Sequence, residues 1–164
     1  MKNASPQADS NSHIASLGGF LEGLSFLNKD QRSNLASAFS IDAQTEDELL
    51  AELKSSFEQL PNLDLNIDAT FPGTFGQLGK DIKTHLLIAP HIENPSQASD
   101  LRSHLSFKIM DRLDDIAGEE NFLSPKRITG TSPVTQSAMT FYWLQTRQLS
   151  LVIYFCSAGT CREA

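Results

Sequence analysis

The order of periodicities along this chain predicts an α+β protein, with N-terminal helices followed by a small antiparallel sheet packed on a long amphipathic helix. Three observations carry that expectation. Leu101, Leu105, Ile109, Leu113 and Ile116 recur at helical spacing over one long segment. Two β-rich runs, residues 139–144 and 149–155, flank Gln145-Thr146-Arg147-Gln148, which reads as the turn of an antiparallel hairpin. The regular strand–helix–strand alternation that builds a parallel sheet is missing.

Taken in order, residues 1–13 are rich in Asn, Ser, Gln and Asp and read as a flexible polar arm, leaving 14–164 as a single domain. Ile14, Leu17, Phe20, Leu21, Leu24 and Leu27 then form a helical stripe. Gly18, Gly19 and Gly23 weaken it by up to about 1 kcal/mol each. Asp30 is placed to cap a second helix over residues 30–39, burying Leu35, Ala38 and Phe39. Thr45 and Glu48 have capping-box spacing, and Leu49, Leu50, Leu53, Phe57 and Leu60 make the apolar face of a helix stopped by Pro61.

The period then changes. Leu63, Leu65, Ile67, Ala69 and Phe71 alternate with polar residues, predicting a strand with one wet face. Pro72-Gly73, Gly76 and Gly79 mark a turn-rich connection to a strand over 85–89, which Pro90 ends. The long helix covers 96–117, with Gly118 as its stop, and residues 119–137 read as loop.

Composition excludes several classes of function. The formal net charge is −7 and the 13 basic residues are scattered, so there is no footprint for nucleic-acid phosphates. No apolar run is long enough to cross a bilayer, and no secretory signal pattern precedes Ile14, so no membrane partner is expected and the default compartment is cytoplasmic. Secretion without a cleaved signal is the alternative, with residues 1–13 as its address. Cys156 and Cys161 could close only a small loop, and neither a redox motif nor a metal site is apparent. No cofactor is expected.

The sharpest chemical signal is Cys156-Ser157-Ala158-Gly159-Thr160-Cys161-Arg162 after the apolar run Val152-Ile153-Tyr154-Phe155. It resembles the Cys-x5-Arg loop of protein tyrosine phosphatases and their dual-specificity relatives. The resemblance implies Cys156 as thiolate nucleophile and Arg162 as phosphate clamp. It covers seven residues and departs from the family at Phe155, where His is common, and at Cys161, where Gly precedes the Arg. The family's loop also opens a helix that activates the thiol, and only Glu163 and Ala164 follow here.

The remaining candidates are weaker. His85 and His91, about 20 Å apart on an extended strand, are too far apart to share a metal. Asp64, Asn66 and Asp68 resemble the start of a calcium loop, but Ala69 and Phe75 occupy its Gly and Glu positions. Asp111, Asp114 and Asp115, with Glu119 and Glu120, form an acidic run at the negative end of the long helix, suited to a basic protein partner. The hairpin concentrates aromatics on both faces, which points to homodimerisation through Tyr142 and Leu144. The leading expectation is a small acidic protein-interaction module of the adaptor, chaperone or effector kind. Its size and charge are shared with type III secretion chaperones, though no motif accompanies that likeness. The cysteine-dependent phosphatase is the alternative.

Overall fold

The computed structural model describes residues 6–27, 35–58, 62–86, 95–132 and 137–156. They form α1 (Pro6–Leu27), β1 (Leu35–Ser40), α2 (Glu46–Ser56), β2 (Asp64–Ile67), α3 (Phe75–His85), α4 (Pro95–Ala117), β3 (Lys126–Ser132), β4 (Ser137–Gln145) and β5 (Ser150–Cys156). The five strands make one antiparallel sheet in the order β1-β5-β4-β3-β2. The fold is α+β.

Alternation along the hairpin divides the core in two. On one face Tyr142, Leu144, Leu151, Ile153 and Phe155 pack with Ile14, Leu17 and Leu21 of α1, Leu78 and Ile82 of α3, and Ile109, Leu113 and Ile116 of α4. The other face carries Phe141, Trp143, Val152 and Cys156, joined by Ile128 of β3 and Leu65 of β2. Helix α2 covers it with Leu49 and Leu53, and Phe57 just beyond the helix meets Phe141 edge-on at 5.5 Å. Both faces of the hairpin are therefore covered by the chain itself. The surface expected for a second subunit is not there, because Tyr142 and Leu144 are fully buried. Helix α4 packs along α1 and α3 and reaches the core in their company.

Several elements differ from expectation. The polar arm is already helical from Pro6. The helix expected over 30–39 is instead strand β1 from Leu35, with residues 28–34 outside the described set. Ala36 and Ala38 are small enough to let α1 lie directly on β1, where Gly18 faces the Ala38 carbonyl. Strand β2 has 4 residues rather than running to Phe71. Asp68 stops it: its carboxylate accepts the Thr70 amide in an Asx turn, and the Phe71 amide closes back on the Asp68 carbonyl.

Two further elements were concealed by glycine. The turn-rich connection contains helix α3, capped by the Thr74 hydroxyl accepting from the Gln77 amide, with Leu78, Asp81 and Ile82 on its buried side. His85 is the last residue of that helix, and 87–94 lie outside the described residues. The loop expected over 119–137 holds strand β3, whose Gly130 leaves room for Leu65 and Phe141. By contrast, Thr45 caps α2 through the Glu48 amide, and Gly118 ends α4 with φ +63°. Glu48 returns its carboxylate to the Gln44 amide at 2.7 Å rather than to Thr45.

Candidate functional site

A concavity of about 1170 Å³ opens where four segments converge at one end of the sheet. Its walls are the first half of α1, the β1–α2 connection, the end of α4 and the β4–β5 turn. Local chemistry fixes each wall. Thr146 closes the turn by accepting the Gln148 and Leu149 amides on its hydroxyl, and its own amide donates to the Leu149 carbonyl. This leaves Arg147 and Gln148 facing water. The connection is tied to the turn by the Ile41 amide, which donates to the Ser150 carbonyl at 3.0 Å. The left-handed Gly118 swings the chain off α4, so that Glu119 and Glu120 follow Asp115 around the rim.

The rim is acidic. Asp42, Asp115, Glu119 and Glu120 line the cleft, facing Arg147 and His13. None of the four carboxylates is in an ion pair or hydrogen bond among the described residues. The last turn of α4 carries no basic residue, so its negative dipole end is uncompensated as well. Of the acidic residues singled out from the sequence, Asp115, Glu119 and Glu120 belong to this cleft, whereas Asp111 and Asp114 are exposed on α4 outside it. Asp42 and Arg147 escaped the sequence reading because nothing local marks them; only the topology brings them to α4.

A second polar cluster lies beneath α3. Arg127 of β3 donates through Nε and Nη2 to Asp68 Oδ2 at 2.9 and 2.6 Å, and through Nη1 to Asp81 Oδ2 at 2.7 Å. The Tyr142 hydroxyl donates to the same Asp81 oxygen at 3.0 Å, while Gln77 Nε2 occupies Oδ1 at 2.8 Å. His85 Nε2 is 3.1 Å from the Tyr142 hydroxyl. The guanidinium also lies over the Phe71 ring at 5.0 Å.

Electrostatics follow from this wiring. Thr70 and then Arg127 hold the Asp68 carboxyl below its usual range. Burial works against the Arg127 cation, but its bonds to Asp68 and Asp81 outweigh burial and raise its pKa. Burial, reinforced by Asp81, pushes the Tyr142 phenol well up, so it stays protonated. Asp81 is buried and its three donors come from α3, β3 and β4. The cluster is thus a fastening between helix and sheet, with its hydrogen bonds satisfied internally.

No protein-family model matches the chain, and no curated protein matches its sequence.

Cys156 is buried in β5, paired with Leu35 and Met139 on either side, and its sulfur is in a disulfide. No free thiol is present among the described residues. Its strand lies inside the sheet, antiparallel to β1 and β4. Arg162 and Cys161 lie outside the described residues, as does His91. Among the described residues no group of three His, Cys, Asp or Glu is arranged to hold a metal, and no helix is long and apolar enough to cross a membrane. Asp64 and Asn66 face water beside Thr131 and Thr129, on the uncovered part of the sheet.

Proposed function

We propose that this chain is a protein-interaction module that receives a basic segment of a partner in the cleft between α1, α4 and the β4–β5 turn. The observation that carries the reading is the set of carboxylates unpaired among the described residues, Asp42, Asp115, Glu119 and Glu120, around one concave site where Arg147 is the one described arginine. Low-dielectric walls focus the field of like charges and concentrate counter-charged ligands. The net charge of −7 adds long-range attraction for the same partner. The cleft is framed by element ends and hydrogen-bonded turns, so the basic segment meets a site formed before it arrives.

The test is fluorescence anisotropy with a labelled peptide rich in Arg and Lys. Neutralising Asp115, Glu119 and Glu120 together (Asp115→Asn, Glu119→Gln, Glu120→Gln) should weaken binding about tenfold, from surface charge contacts worth up to about 1 kcal/mol each. Binding should also weaken with added salt. Asp111→Asn with Asp114→Asn, outside the cleft, should change it little. Equal affinity for the triple variant and the parent protein would remove the cleft as the docking site.

A further inference from the structure

His85 closes the last turn of α3 with its ring laid flat on Phe155 of β5, centroids 4.6 Å apart and planes within 6°. It meets Tyr142 of β4 edge-on. The Tyr142 hydroxyl donates its hydrogen bond to Asp81, so its oxygen accepts and His85 Nε2 is the donor at 3.1 Å. The neutral imidazole therefore already makes this hydrogen bond. A second proton would go to Nδ1, adding nothing at Tyr142 while placing a cation in a largely apolar stack.

The charges facing the ring do not reverse this balance. Asp81, one turn earlier on α3, favours the cation, as does the C-terminal end of the helix dipole. Arg127 of β3 opposes it, and its guanidinium is bonded to the Asp81 oxygen that also accepts from the Tyr142 hydroxyl. Asp68, from the β2–α3 connection, is taken up by the other side of Arg127. From β5 comes the Phe155 ring, and on the α4 side Ser106 donates to the Gly79 carbonyl of α3. Burial prevails over Asp81 and holds the imidazole below its usual titration range.

We propose that His85 is an acid-sensitive latch: neutral, it fastens the end of α3 to β4 and β5; protonated, it leaves Phe155 for water and frees that turn while the sheet stays folded. The sign follows from linkage. The released imidazole binds its proton more readily than the latched one, so the latch is at full strength above the ordinary histidine range. It weakens as pH falls from there through the lowered value of the latched ring.

Hydrogen exchange of the individual amides, corrected for the intrinsic effect of pH, tests this at neutral pH and near pH 5. In the parent protein, residues 83–86 should lose protection several-fold on acidification while β4 keeps its own. His85→Phe preserves the stack and cannot titrate, so it should show no such loss. An unchanged parent protein, or an equal loss in His85→Phe, would overturn the latch. Should His85→Phe fail to fold, NMR titration of the parent decides. A His85 midpoint below the ordinary histidine value, shared by the amides of residues 83–86, supports it; a midpoint at or above that value contradicts it.

Discussion

Replacing Arg127 with methionine is expected to lower unfolding free energy by about 3 kcal/mol in urea titrations. The methionine keeps much of the apolar contact with Phe71 but leaves two carboxylates, Asp68 and Asp81, without their cation. Both are largely shielded, with 19% and 12% of their side-chain surface accessible, so water cannot fully replace the lost partner. Neutralising them as well (Asp68→Asn, Asp81→Asn in the Arg127→Met background) should recover a substantial part of the loss. The pH dependence has a definite sign. A carboxyl whose pKa is depressed by folding stabilises the fold above its unfolded value, and that contribution disappears as pH falls through the folded value. The gap between parent and Arg127→Met should therefore narrow in acid. A gap that stays constant down to the unfolding limit would show that Arg127 acts through packing alone.

The glycines of α1 should respond to alanine in opposite directions. An added Cβ at Gly18 would sit 2.7 Å from the Ala38 carbonyl oxygen and 3.3 Å from Ser37 Oγ. The first of these is backbone in a paired strand and cannot move aside without loosening β1 from β5. Gly18→Ala should cost about 2 kcal/mol even after the helix-propensity gain of about 1 kcal/mol. Gly19 and Gly23 have nothing within 4 Å of the added atom, so Gly19→Ala and Gly23→Ala should each stabilise by about 0.5–1 kcal/mol. Denaturant midpoints of the three variants check this. Stabilisation by Gly18→Ala equal to that of its neighbours would mean that α1 does not lie against β1.

Which parts of the fold can be read in the chain depends on how local their causes are. The cap at Thr45, the apolar face of α4, the stop at Gly118 and the β4–β5 hairpin all rest on residues within a few positions of one another. Strand β1 does not. Its Ala36 and Ala38 look like helix formers, and they become strand residues only because Gly18 brings α1 down on them. Helix α3 hides behind Gly76 and Gly79, and its buried Asp81 is acceptable only with Arg127, 46 residues later, as its partner. The cleft is similar. The acidic end of α4 is legible as charge, but Asp42 and Arg147 come to it from other segments through the sheet order. The hairpin aromatics show the opposite failure: two apolar faces suggested a second subunit, and α2 covers the second face instead.

The docking claim is tested most directly by mapping amide chemical-shift changes while an unlabelled Arg/Lys-rich peptide is added to the isotope-labelled protein. Trp143, the one tryptophan, supplies an internal reporter, since its indole donates at 2.6 Å to Ser150 Oγ and Ser150 lines the cleft. The expected result is a contiguous set of shifts at Ile41–Gln44, Asp115–Glu120 and Gln145–Ser150, including the Trp143 indole, that disappears with a Glu-substituted peptide. Shifts confined to Asp111, Asp114 and the outer face of α4, or none at all, would contradict it.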